Sequence, residues 1–215
     1  MGTIETAETS ITELGNPRKP QGAEGALMLE RMNSSHAAVT EWAFAFLDVQ
    51  EDDTILDVGC GGGAALARLS KRIKTGHLTG VDYSAVSVEQ SRSFNSADVE
   101  SGKMEILEGS VEALPFPDEA FGKVVTVESF YFWPDPVENL KEVRRVLKPD
   151  GVFLLTADIY QKDGLSEEAL ANIEKYELRN PTPEEFESLF RAAGFSQVTI
   201  HTEEGTDWIS VEGRR

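Results

Sequence analysis

Residues 55–66 read Ile-Leu-Asp-Val-Gly-Cys-Gly-Gly-Gly-Ala-Ala-Leu. Ile55, Leu56 and Val58 have the apolar character of a parallel strand buried on both faces. Gly59, Gly61, Gly62 and Gly63 follow as a turn without side chains, and residues 64–74 then place Leu66, Leu69 and Ile73 on one helical face. Strand, glycine turn and helix together offer backbone N–H groups to a ligand at a helix N-terminus. The next apolar run, residues 77–81, ends in Asp82, an acid placed to accept both hydroxyls of a ribose. The expected ligand is nucleotide-like.

The glycines alone leave alternatives open. Gly59-x-Gly61-x-x-Ala64 also satisfies the dinucleotide fingerprint, and a tight turn needs no ligand at all. Asp57, two residues before the first glycine, separates the nucleotide readings. A carboxylate at the strand's carboxyl end repels a pyrophosphate but suits an ammonium or a sulfonium. S-adenosylmethionine carries both and no phosphate.

The segment Asp57-Val58-Gly59-Cys60-Gly61-Gly62-Gly63 resembles the first motif of the class I S-adenosylmethionine-dependent methyltransferases. Further segments resemble the same family in the same order. Gly80-Val81-Asp82-Tyr83-Ser84 is similar to its ribose-binding motif, and Glu108 to Phe116 to the segment that cradles the adenine. Residues 121–127 and 130–136 resemble its fourth strand and following loop, and residues 142–151 the helix and turn before its fifth strand. The likeness is close over residues 53–158, nearest to the small-molecule group of ubiquinone and menaquinone biosynthesis. It implies S-adenosylmethionine as donor, S-adenosylhomocysteine as product, and cofactor contacts from Asp57, Gly59, Cys60, Gly61, Gly63, Asp82, Tyr83, Ser84, Ser110, Val111, Glu112 and Glu128. Three departures from the pattern stand out: Ser110 replaces an acid, Tyr131 and Phe132 replace a His pair, and Glu128 replaces a small residue.

The chain has 215 residues, enough for one well-buried domain. Its formal charge of −18 argues against a nucleic-acid substrate, whose phosphates need a basic surface. Lys141, Arg144 and Arg145 are the best basic cluster, at the spacing of an exposed helix face. No apolar run approaches the roughly 20 residues of a membrane span, and residues 1–16 are too polar for a signal peptide, so a cytoplasmic enzyme is expected. The single cysteine, Cys60, excludes an intramolecular disulfide. With no convincing histidine partner it reads as a small residue beside the cofactor rather than a nucleophile. His36, His77 and His201 lack ligand spacing, and no metal is expected.

Along the chain, residues 1–22 read as a polar arm, followed by helices over 24–32 and 36–47; Asn33, Ser34 and Ser35 offer capping oxygens between them. In the family such helices lie over the sheet's carboxyl edge, so residues 1–48 are expected to form an arm and helical lid on a single domain of residues 49–215. Strands are expected over 53–58, 77–82, 103–107, 122–128 and 151–157, and helices over 64–74, 84–100, 136–147, 165–178 and 183–193. Thr182, Pro183 and Glu185 form a capping-box start, and Gly194 a natural stop. Residues 197–202 and 207–211 read as a hairpin. The fold class is α/β: a Rossmann-like, doubly wound, seven-stranded, mostly parallel sheet. The resemblance implies the order 3-2-1-4-5-7-6 with the last strand reversed, and a ligand above residues 57–63 at the switch point.

Methyl transfer from a sulfonium leaves a neutral thioether, so positioning matters most and only a protonated acceptor needs a base. Two roles are open to Glu128: anchoring the donor's ammonium, which its place beside Asp57 favours, or acting as base. Tyr131 and Trp133 either line the acceptor pocket or pack in the core. His36, after Met32 and Asn33 at the helix junction, is a second candidate base, and Tyr160 a weaker one. Phe130 and Trp42 are assigned to the core. A small-molecule methyltransferase is the leading function. A non-catalytic cofactor- or partner-binding protein on the same fold, and an NAD-dependent oxidoreductase, are the alternatives.

Overall fold

The computed structural model describes residues 11–215, so the start of the expected arm lies outside the described residues. Strands β1 (Thr54–Val58), β2 (His77–Asp82), β3 (Met104–Glu108), β4 (Phe121–Val127), β5 (Leu147–Ala157), β6 (Gln197–Thr202) and β7 (Ile209–Arg214) form one seven-stranded sheet. Its order is β3-β2-β1-β4-β5-β7-β6. The pairs β1–β2, β1–β4, β2–β3 and β4–β5 are parallel, while β7 runs antiparallel to both β5 and β6. This is the expected Rossmann-like arrangement. The chain leaves β1 for β2 on one side and reaches β4 on the other, so the crevice at the switch point opens above β1 and β4.

Helices cover both faces, which is why the central strands are apolar along their length. These are α1 (Gly22–Ser35), α2 (Ala37–Phe44), α3 (Ala64–Ser70), α4 (Ala85–Phe94), α5 (Ser96–Glu100), α6 (Pro136–Val146), α7 (Glu167–Tyr176) and α8 (Pro183–Ala192). One core cluster joins Phe44, Ile55, Leu66, Leu69, Leu78 and Met104. The other joins Phe130, Leu140, Val143, Phe153, Phe186, Phe190 and Phe195. Phe153 stacks on Phe190 and Phe195 at ring separations of 5.5 and 6.0 Å. Each such fully buried side chain contributes roughly 1.5–3 kcal/mol.

Several elements differ from the sequence pattern. The helix expected over 84–100 breaks into α4 and α5 at Asn95. The buried Asn95 amide donates to the Gly63 and Ser91 carbonyls at 3.1 and 3.0 Å, so a tertiary contact to the glycine turn interrupts the helical period. Helix α3 ends at Ser70, short of the expected residue 74. Strand β5 begins at Leu147 and not at 151: Leu147 pairs with Phe121 but Val152 with Lys123, and Asp150 takes a φ of 62° to carry the bulge. Asn33, Ser34 and Ser35 lie inside α1, and no side chain caps α2. The last strand is Ile209–Arg214, later than the pattern placed it. The capping box of α8 forms from Thr182 and Glu185.

Trp42 packs, partly buried, against the edge of the first core cluster. Its indole N–H donates to Glu203 at 2.9 Å and its ring meets Phe46 and Trp208, tying α2 to the β6–β7 hairpin. The basic triplet is not a free patch: Lys141 pairs with Glu138, Arg144 donates to the Gly194 carbonyl, and Arg145 binds Asp118, Glu142 and two carbonyls. Among the described residues no helix is long and apolar enough to cross a membrane.

Candidate active site

A cavity of about 320 Å³ opens at the carboxyl edge of β1, β2 and β4. Its floor is the glycine turn, whose conformation the neighbouring strand end imposes. The N–H groups of Gly59 and Cys60 both donate to the Val81 carbonyl, at 2.8 and 3.1 Å, and that of Gly61 donates to Asp82 Oδ2 at 3.0 Å. Gly59 sits at φ 74°, and a Cβ there would stand 2.5 Å from Ser129. A Cβ on Gly62 would stand 2.6 Å from the Asn33 amide. The glycines therefore keep the floor open and let α1 approach, with Asn33 donating to the Gly62 carbonyl at 3.1 Å.

Asp57 is the least compensated group of the site. It is 1% exposed, and neither carboxylate oxygen has a hydrogen-bond partner. Burial, reinforced by the negative Asp82, raises its pKa to about 7. Asp82 is better supported: Oδ1 accepts from the Ser84 N–H at 2.9 Å and Oδ2 from Gly61, although burial still moves its pKa upward. A buried carboxylate without partners, facing a cavity across a backbone cradle, fits a ligand that brings a positive charge to one end and hydroxyls to the other.

Cys60 lines the cavity as a buried thiol, and burial with two nearby carboxylates pushes its pKa well up, so it stays protonated. Ser110, Val111 and Glu112 line the third side, with the Ser110 hydroxyl donating to Glu112 at 3.2 Å. Tyr83 lines the rim, its ring under the Lys19 ammonium at 5.2 Å and its hydroxyl on the Arg18 carbonyl. Two expected contacts do not face the cavity. Ser84 is buried as the N-cap of α4 and donates to the Pro20 carbonyl at 2.7 Å. Gly63 turns the chain into α3 at φ 82°, its carbonyl held by Asn95.

The opposite end is built from β4, β5 and the α1–α2 junction. Glu128 stands past β4 at φ 57°, a left-handed conformation rare outside glycine. Its carboxylate accepts from the Asp158 N–H at 2.5 Å and from the Tyr131 hydroxyl at 3.2 Å. That hydroxyl also lies 3.0 Å from Asp158 Oδ1, so its one proton serves one carboxylate at a time. His36, Glu128 and Asp158 bring one ligating atom each within 4.8 Å of one another. Burial lowers the His36 pKa against the pull of Asp158, and burial followed by Asp158 raises that of Glu128 well above the carboxylate range.

His36, Glu128, Phe132 and Trp133 line the cavity. Tyr131 does not: it is buried behind Glu128, and the same burial pushes its phenol well up. Tyr160 is also off the wall, beneath Lys162 at 5.3 Å. The sequence pattern did not single out Asp158, nor Arg18 within the arm, which lines the cavity beside Pro17 and Pro20. A signal for Asp158 existed. Asp57, Asp82, Glu128 and Asp158 are all acids at or just beyond the carboxyl ends of parallel strands.

Residues 56–155 match the family model described as "Methyltransferase domain". An uncharacterized methyltransferase of Bacillus subtilis (strain 168), YdaC, is 27% identical over 79% of this chain and 86% of its own length. The chloroplastic 2-methyl-6-phytyl-1,4-hydroquinone methyltransferase 1 of Oryza sativa subsp. japonica is 32% identical over 68% of this chain, which spans only 42% of that enzyme's length. Among solved structures, the putative methyltransferase in a complex with the Haloferax volcanii Trm112 methyltransferase activator superposes with a TM-score of 0.73. It is 24% identical and covers 86% of this chain and 92% of its own. Sheet order, glycine cradle and family match agree, and the chain belongs to the class I S-adenosylmethionine-dependent methyltransferases, EC 2.1.1.-, with S-adenosylmethionine as its methyl donor.

Proposed function

We propose that this protein methylates a small-molecule acceptor, with Asp57 opposite the donor's ammonium, the backbone of Gly59 to Gly62 along its methionine half, Asp82 on the ribose and Ser110 to Glu112 beside the adenine. When bound, the donor supplies a methyl group on a sulfonium and departs as a neutral thioether. The observation that carries this reading is the unpartnered Asp57 carboxylate, buried against the glycine turn and facing the cavity. A cationic ligand relieves its desolvation, which no anionic ligand does.

Glu128 falls to the acceptor side of this division. Its oxygens already accept from Asp158 and Tyr131, whereas those of Asp57 accept from nothing. Glu128 and His36 are therefore the groups within reach of an acceptor proton, and Tyr131 holds Glu128 from behind. Residues 1–48 act as an arm and lid on the catalytic domain of residues 49–215. The roofing contacts of Arg18, Pro20 and Asn33 support that role. The acidic surface favours a small acceptor over nucleic acid, the rice relative's named substrate is a small hydroquinone, and the cytoplasm is the expected location.

The test is calorimetry with S-adenosylhomocysteine, followed by transfer of labelled methyl to quinols, phenols, amines, thiols and small acids. Binding of the product at micromolar concentration and labelling of one small acceptor are expected. Tight NADH binding with no S-adenosylhomocysteine binding would end the reading.

A further inference from the structure

At the end of the cavity opposite the glycine turn the acids have, among the described residues, no cationic partner, although the charge of Arg31 acts on His36 and Arg18 lies over the Phe132 ring. Glu128 lines it, Asp158 stands directly behind, and among the described residues no Lys or Arg forms an ion pair with either carboxylate. The arginines on the cavity wall are committed elsewhere. Arg68 donates to the Ala64 carbonyl and lies 4.0 Å from Glu41, while Arg18 covers the Phe132 ring at 5.5 Å and pairs with Glu177 at 3.7 Å. The remaining wall near Glu128 is apolar and aromatic: Met32, Val127, Phe132 and Trp133.

We propose that the methyl acceptor is a small cationic amine on an apolar or aromatic body, its ammonium held by Glu128 and its proton taken by His36. The inference rests on the methyltransferase reading and names the substrate class of that site. A carboxylic acid would meet like charge at this end, and a neutral alcohol would bring no charge to the half-buried carboxylates. An ammonium supplies the missing charge, and the Trp133 indole on the wall favours a cation beside it, the Phe132 ring being already covered by Arg18. The upward shift of Glu128 on burial is the behaviour of a carboxylate that lacks such a partner.

The proton balance follows from the same residues. The amine enters as an ammonium and gives one proton to the His36 imidazole. Its freed lone pair forms the nitrogen–carbon bond while the electron pair of the donor's carbon–sulfur bond stays on sulfur. The product is a methylated ammonium, and the proton leaves from the imidazolium to solvent. Asp158 does not line the cavity. It is a positioning residue: its charge favours the imidazolium, and its backbone N–H fixes the Glu128 carboxylate.

The test titrates the whole chain, saturated with S-adenosylhomocysteine, with phenethylamine, benzylamine and hexylamine, and with the alcohol and carboxylic acid of each carbon skeleton. Amines are expected to bind at least about tenfold tighter than their alcohols and acids. In Glu128→Gln that preference should vanish while S-adenosylhomocysteine affinity stays within about twofold, which also shows that the variant is folded. Should the variant not fold, the wild-type panel decides alone. Asp158→Asn should lower kcat for the best amine about tenfold or more with KM little changed, a split that a structural role would not produce. Amines that bind no better than their partners, or not at all, overturn the proposal. So does saturable binding of Mg²⁺, Mn²⁺ or Zn²⁺ abolished by the same substitutions, which would make this end a metal site. Failure of wild type to bind S-adenosylhomocysteine defeats the methyltransferase reading instead.

Discussion

The two ends of the cavity are built by different means. The end proposed for the donor is made of backbone and strand ends, with Asp57 and Asp82 on adjacent strands and the Gly59–Gly61 amides bonded to β2. The other end is assembled from side chains drawn from distant segments: His36 from the α1–α2 junction, Glu128 from past β4 and Asp158 from past β5. A backbone cradle tolerates little change, because its geometry is the sheet's geometry. A side-chain assembly can be altered one group at a time, which suits the part of a methyltransferase that meets its acceptor.

The largest effect should come from filling the cradle. Gly59→Val places a branched side chain at φ 74° and a Cβ 2.5 Å from Ser129, so unfolding in urea should show a loss of about 3 kcal/mol or more. Gly205→Ala has a similar φ of 79° but open space around it and should lose only about 1 kcal/mol. Equal losses would mean that backbone conformation alone, and not the close approach of Ser129, sets the cradle.

Glu128→Gln sharpens the division of roles. Turnover at saturating donor should fall about 100-fold with S-adenosylhomocysteine affinity nearly unchanged. The reverse pattern, weak donor binding with intact turnover, would move Glu128 to the donor end. Tyr131→Phe should follow the same pattern with a smaller loss. On the other side, Asp82→Ala should weaken donor and product by about 1.5–3 kcal/mol in calorimetry, the cost of a hydrogen bond to a charged group. Unchanged affinity would detach the ribose from β2.

With Asp57 opposite the ammonium, as proposed, donor binding should depend on protons. The folded Asp57 pKa of about 7 lies above the ordinary carboxylate value, so the free fold loses stability as pH rises through about 7, and binding a cation recovers it. Affinity for S-adenosylhomocysteine should therefore drop about tenfold between pH 8 and pH 6, with a proton released per ligand in the acid range. Asp57→Asn should flatten that dependence and stabilise the free protein at pH 8. A flat profile in wild type would show that the ligand's charge lies elsewhere. The smallest effect concerns the roof: Asn33→Ala should cost about 1 kcal/mol of product binding. Amide exchange over residues 15–35 should slow when the product is added, and exchange that ignores the product would remove the lid.

Much of the end proposed for the donor was legible because its parts are consecutive. Ile55 to Leu66 carries strand, turn and helix in one run, and Asp57 and Asp82 occupy equivalent strand ends. The acceptor end was legible only in part. Glu128 stood out as an acid ending an apolar run, but Asp158 ends β5 in the same way and gains meaning only when β4 and β5 pair and bring its N–H to Glu128. Tyr131 and Ser84 carried the right chemistry for a site, yet their burial turns them away from the cavity.

What the sequence by itself determined is a mostly parallel sheet and the cradle, while the strand order followed from the family resemblance. Apolar period, glycine spacing and strand-end acids are properties of neighbours along the chain. What only the tertiary structure decided is which polar groups face the cavity and which are sealed behind it. Asn95 breaks a helix because Gly63 offers it a carbonyl, Trp42 sits at the core's edge with its N–H on Glu203, and His36 becomes a cavity residue because α1 packs over the turn. Each outcome depends on a partner far away in sequence, and a buried polar group goes where its partner is.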